Sequence, residues 1–272
     1  MKSFNDTKDG VEILFKDSIL KRFPNYARFW EKFYGYKNEF LPNLRPYGLR
    51  FPVNYNTKSR VRIENIYHEI NIVYYHIFCS LSSAYYELEN FKNSSSSHKL
   101  TKNFILIHSI NSFYLNIGIC RDMVNRLIKL ILIDLANEDM KIPTKCKECG
   151  QGELGYLNSF NDYLHKKKYR FAKKFEGWKS RINKIRSRLS HYGSIGFIID
   201  PNSGEEYMPD KLARDQTWKK DWEQIKTGNK RRVIDSINYD LKATEEILNL
   251  LFNIFIKKFQ ESLNKEKIKI NY

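Results

Sequence analysis

The residues best suited to chemistry lie in one short segment, Arg186-Ser187-Arg188-Leu189-Ser190-His191, followed by Tyr192-Gly193. Histidine titrates near neutrality, so His191 is a candidate general acid/base. Arginine keeps a planar, permanent cation that matches a phosphate and stabilises charge developing on it, which makes Arg186 a candidate phosphate clamp. Ser187 and Ser190 carry hydroxyls that can orient the pair, and Tyr192 offers a ring to stack a base or hold the site. The plain alternative is a surface salt bridge for Arg186 and a helix C-terminal cap for His191.

The segment ends an amphipathic helix, and the helix constrains how it can work. At about 100° per residue, Trp178, Ile182, Ile185 and Leu189 fall within roughly 60° of one another and form the core stripe. Arg186 lies about 70° from the middle of that stripe, and position 191 about 150° away in the other sense. Neither belongs to the core. A shared site therefore requires the helix to unwind near Ser190, or two copies of the chain to complete one site together. Gly193 is placed to stop the helix.

Upstream, the same helix is crowded with cations: His165-Lys166-Lys167-Lys168-Tyr169-Arg170, then Lys173, Lys174, Lys179, Arg181 and Lys184, with Arg188 inside the segment itself. Tyr169, Phe171, Phe175 and Trp178 are interleaved with them. Basic residues with aromatics can track a single strand's backbone and stack its bases, so Lys173, Lys179, Arg181, Lys184 and Arg188 are candidate RNA contacts. The alternative is a solvated charged face with the aromatics in the core. The whole chain leans the same way: 47 Lys+Arg against 31 Asp+Glu give a formal charge of +16. That excess points to a polyanionic partner, with nucleic acid ahead of an anionic membrane surface, although a lysine-rich genome would leave the same mark.

The first fifty or so residues are aromatic-rich and punctuated by Pro24, Pro42, Pro46 and Pro52. They read as an irregular, partly helical extension, residues 1–58, packed on a core. Ile63, Ile66, Ile70, Val73, Ile77, Leu81, Ala84 and Leu88 then mark a long helix, which ends in the loop Asn93-Ser94-Ser95-Ser96-Ser97. A second helix spans about 100–135. Phe104, Ile107, Tyr114 and Ile117 mark one face, with Ile105, Ile110, Phe113 and Leu115 opposite, so its first half should be buried all round. A third helix spans about 159–190, and a fourth starts near Lys230, with Ile234, Ile237, Leu241, Leu248, Phe252, Phe255 and Phe259 on its buried face. Between them, Gly196-Phe197-Ile198-Ile199 and Asp200 to Gly204 read as a short extended piece and a turn. The expected fold is all-α: a bundle of four to five long helices over 59–262, an irregular aromatic-rich N-terminal segment, and a basic tail at 263–272.

Arg186 and His191 at this spacing, at the end of a helix in an all-helical chain, resemble the RxxxxH signature of the HEPN superfamily, the higher eukaryotes and prokaryotes nucleotide-binding domain. The resemblance covers roughly residues 60–260, and only the short motif is specific. The family's usual residue after the arginine is Asn, Asp or His, where this chain has Ser187. The resemblance implies a metal-independent endoribonuclease that cleaves single-stranded RNA by attack of the 2′-hydroxyl, leaving a cyclic phosphate. It also implies a homodimer with a composite site and a toxin or phage-defence setting. A non-catalytic HEPN-like module binding nucleotide, RNA or a protein partner, such as a paired nucleotidyltransferase, is the second expectation.

Other signals are weaker. Cys146-Lys147-Glu148-Cys149 offers half of a zinc site, and zinc takes four ligands. Cys79 and Cys120 sit in helical patterns as small core residues, and His76 and His108 read as packed helix histidines. No Gly-rich phosphate loop is present, so no cofactor is expected. The opening residues Met1-Lys2-Ser3-Phe4 lack the apolar core of a secretory signal, and no segment reaches the length of a membrane span. The expectation is a cytoplasmic protein without a membrane partner.

Overall fold

The apolar residues at three- and four-residue steps do close into long helices. In the computed structural model these are α1, Thr57–Asn93; α2, Lys99–Lys129, which continues as a π-helical segment Leu130–Leu135; and α3, Ala172–Tyr192. A short helix α4, Trp218–Lys226, precedes the last long one, α5, Val233–Lys265. The structure describes residues 22–25, 57–93, 99–136, 162–193, 195–200, 203–210 and 218–265. Of these, 82% are helical, which makes the fold all-α. Among the described residues, no helix is long and apolar enough to cross a membrane.

Two compact units divide the chain. The first takes Met1–Ser82, Asp122–Ala172 and Ile247–Tyr272. Its core is aromatic: Tyr67 meets Phe259 at 5.1 Å between ring centres, Tyr74 meets Phe252 at 5.5 Å, and Phe255 and Phe259 adjoin at 5.6 Å. Phe23, from the N-terminal segment, is buried against Phe78 at 5.3 Å. Each such ring contributes about 1.5–3 kcal/mol by leaving water. Helix ends leave carbonyls without partners, and here side chains supply them. Arg62 donates to the Asp134 carbonyl at 3.1 Å, and Ser262 to that of Leu135 at 3.1 Å.

The second unit takes Ser83–Arg121 and Lys173–Glu246. It holds α3 and α4 and a three-stranded antiparallel sheet of β1, Ile198–Ile199, β2, Glu206–Pro209, and β3, Lys230–Arg232, in that order. The turn expected after Ile199 is present: Gly204 donates to the Asp200 carbonyl at 2.8 Å and takes a φ of +70°.

Three expectations need correction. The third helix does not run unbroken from 159. Residues 162–166 form a separate helical turn that ends at Lys168, whose φ of 55° is left-handed. Tyr169 donates to the Leu164 carbonyl and Lys168 to that of His165, both at 3.0 Å, the paired bonds of a Schellman stop. Nor is the first half of α2 buried all round: Phe104 is 75% exposed, with Ile107, Leu115 and Ile119 also exposed. Its buried side chains, Leu106, Ile110, Phe113, Tyr114 and Ile117, share the opposite sector. His76 and His108 are likewise exposed and not in the core, His76 edge-on to Tyr75 at 5.8 Å and His108 Nε2 3.5 Å from the Ser112 hydroxyl. The Ser94–Ser97 loop, the Cys146/Cys149 loop and positions 266–272 of the basic tail lie outside the described residues.

Candidate functional site

α3 reaches the candidate segment as a regular helix and keeps helical form through Tyr192. The buried stripe is the expected one, with Trp178, Ile182, Ile185 and Leu189 all inside. Gly193 then stops the helix at φ +73°, donating to the Leu189 carbonyl at 3.0 Å. Glycine enters that region without the cost a Cβ imposes. Asn111 of α2 grips this end from the side: its amide donates to the Gly193 carbonyl at 3.3 Å and accepts from the Ile195 N–H at 3.4 Å.

Arg186 is exposed on the flank of α3 that faces α2. There its stem passes over Gly118 of α2: a Cβ built on that glycine would lie 3.7 Å from the Arg186 Cδ, an ordinary contact distance. Ser187 is half-buried and Ser190 exposed. The side chains of His191 and Tyr192 lie outside the described residues, though their backbone is helical. That backbone removes one of the two routes to a shared site. The helix does not unwind at Ser190, so Arg186 and position 191 leave the axis about 140° apart.

The five candidate RNA contacts on α3 separate by burial. Lys173 and Lys184 are exposed. On a regular helix they lie within about 20° of position 191, so all three share one face. Lys179 and Arg188, in contrast, are buried. The Lys179 ammonium sits 5.8 Å from the centre of the Phe175 ring. Arg188 meets Asp221 of α4 bidentately, through Nη1 at 2.5 Å and Nη2 at 3.0 Å. Its charge is spent inside the protein because α4, unforeseen in the sequence, covers that flank. Arg181 is an intermediate case, with Nε donating to Asp240 at 2.6 Å and Nη2 to Ser236 at 2.8 Å. Phe171, Phe175 and Trp178, offered as stacking rings, are core residues.

Asp240 centres a buried network. It also accepts from the Tyr114 hydroxyl at 2.9 Å, and its carbonyl accepts from Thr244, which in turn takes the Trp178 indole N–H at 2.9 Å. Burial holds the Asp240 carboxyl above its ordinary range, against the pull of Arg181. Burial does the same to Asp221, opposed by Arg188. These networks fix where α3 sits against α2, α4 and α5, and so fix what Arg186 faces.

Among the described residues no cluster of His, Cys, Asp and Glu has the makings of a metal site. Cys79 and Cys120 are not joined in a disulfide, and Cys120 is buried while Cys79 is partly so. No protein-family model matches the chain, and no curated protein or solved structure matches it either.

Proposed function

We propose that this chain is a metal-independent endoribonuclease of the HEPN type, cleaving single-stranded RNA in the cytoplasm as a homodimer, in a toxin or phage-defence role. The observation that carries the reading is the end of α3: an exposed Arg186 with its motif closed by a left-handed Gly193 that Asn111 grips. In this mechanism His191 takes the proton of the ribose 2′-hydroxyl, the oxygen attacks the adjacent phosphorus, and Arg186 stabilises the charge gathering on the phosphate. The bond from phosphorus to the 5′-oxygen breaks, that oxygen leaves with the proton returned by the His191 imidazolium, and a 2′,3′-cyclic phosphate remains.

Two features support the homodimer. A straight helix keeps Arg186 and position 191 on different faces, so one copy's arginine needs another copy's histidine. Beside Asn111 and Gly118, α2 presents Phe104, Ile107, Leu115 and Ile119 to solvent, and from Asn103 to Cys120 the sequence carries no charged residue. A second copy seated on that stripe buries it without opposing the chain's positive charge.

The test is incubation of the purified protein with single-stranded RNA in excess EDTA. Cleavage should fall roughly 100- to 10,000-fold in His191→Ala, the range for removal of an acid/base group. Mixing His191→Ala with Arg186→Ala should restore about a quarter of wild-type activity, since half the dimers are mixed and each holds one intact site. Intact RNA at high protein concentration sinks the enzyme. It would favour the second reading, a non-catalytic module binding nucleotide, RNA or a nucleotidyltransferase partner, which the separation of the pair within one chain also favours.

A further inference from the structure

Trp222 stands apart among the described residues as a tryptophan left 47% exposed, although α4 is anchored only one residue away by the buried Asp221. Tryptophan is large and strongly apolar, and a solvated one on a well-anchored helix asks for a ligand. Its surroundings say which kind. Lys219, Trp222, Glu223 and Lys226 line a groove of about 380 Å³. They fall within about 100° on the helical wheel, so these four side chains share one face of α4. The Lys226 ammonium lies 5.2 Å from the Trp222 ring centre. Lys219, on the same face, is exposed.

An aromatic plane flanked by ammonium groups matches a nucleotide: the indole stacks on the base and the lysines meet the flanking phosphates. Glu223 supplies an acceptor for an exocyclic amine on the base edge. A bare apolar partner would gain nothing from the lysines, and a duplex would offer no unstacked base. Arg188 holds α4 against the flank of α3 that adjoins the face shared by Lys173, Lys184 and position 191.

We infer that the Lys219–Trp222–Lys226 face of α4 is a subsite for single-stranded RNA, stacking one nucleotide outside the scissile step. As a substrate subsite this rests on the ribonuclease reading, but as a binding site it can be tested without cleavage. Fluorescence anisotropy of a labelled single-stranded 12-mer RNA, with the full chain carrying His191→Ala, measures binding alone. Adding Trp222→Ala should weaken affinity roughly 5- to 100-fold, and Trp222→Tyr, which keeps a ring, should recover most of it. Lys219→Ala and Lys226→Ala should each reduce the salt slope of binding by about 0.7. Equal affinity in the Trp222→Ala protein overturns the inference, as does equal competition by duplex RNA, and would leave this face to a protein partner. RNA that binds through Trp222 but is never cut by the wild type leaves the subsite standing and removes the ribonuclease. Cleavage with no dependence on Trp222 does the reverse.

Discussion

Each of the two units closes its own core by a different chemistry. The first closes on packed aromatic rings, Tyr67, Tyr74, Phe78, Phe252, Phe255 and Phe259, all fully buried. The second buries charge: Asp240 has no exposed surface and Asp221 almost none, and each carries an arginine from α3. Ring packing is tolerant of direction, whereas a bidentate arginine–carboxylate pair is satisfied in one geometry only. The unit that pays for desolvated charge is also the one that holds Arg186, Asn111 and Trp222. The buried pairs set the azimuth of α3 and the seat of α4, and thereby what the candidate site presents.

The sharpest way to break this comparison is to remove one member of each kind of core and then attempt a rescue. Phe255→Ala should cost about 3–5 kcal/mol through the cavity it leaves. Arg188→Ala should cost a similar 3–5 kcal/mol for a different reason, because it strands the Asp221 carboxylate inside. Urea unfolding separates the two causes. Arg188→Met with Asp221→Leu should return most of the lost stability, since an apolar pair of similar volume needs no compensation. A double variant no better than Arg188→Ala would mean that the pair is worth more than its removal, and the contrast between the units would fail.

A smaller effect concerns acid. In the folded chain Asp240 and Asp221 titrate above the ordinary 3.8 because burial disfavours the anion. Just above 3.8 the folded state therefore keeps protons that the unfolded chain has released. Stability from these groups falls as pH rises through the window between 3.8 and their raised values, and is level beyond it. The destabilisation caused by Asp240→Asn should accordingly shrink with rising pH, measured by urea unfolding across the carboxylate range. A penalty that grows with pH, as for a carboxylate that gains net stability from its partner, would reverse the assignment.

These contrasts also explain what the sequence disclosed. α1 and α5 were legible because their buried faces are long apolar stripes, and the stripe of α3 placed Arg186 off the core. The break at Lys168 was not, because a lysine takes the left-handed position that usually advertises itself as glycine. α4 was missed because it is short and one of its anchors is a charge, Asp221, which periodicity does not count. With α4 unseen, nothing marked Arg188 as buried, and Lys179 next to Trp178 looked like any solvated lysine. Trp222 had a signal that went unread: lysines three residues before it and four after, on one helical face.

The smallest effect lies at the junction of scaffold and site. A Cβ at Gly193 would meet nothing within 4 Å, so Gly193→Ala is penalised only by its φ of +73°, about 1 kcal/mol. Asn111→Ala gives up two long hydrogen bonds at 3.3 and 3.4 Å and should cost no more than about 1 kcal/mol. Neither change touches an aromatic ring or a buried ion pair, so urea midpoints should barely move. If the second unit's rigidity exists to aim the end of α3, RNA cleavage should nevertheless drop in both, because a misplacement of about 1 Å is worth up to 100-fold in rate. Parallel small losses of stability and activity would instead make the Asn111–Gly193 contact an ordinary helix stop, and the aiming role of the buried pairs would lose its support.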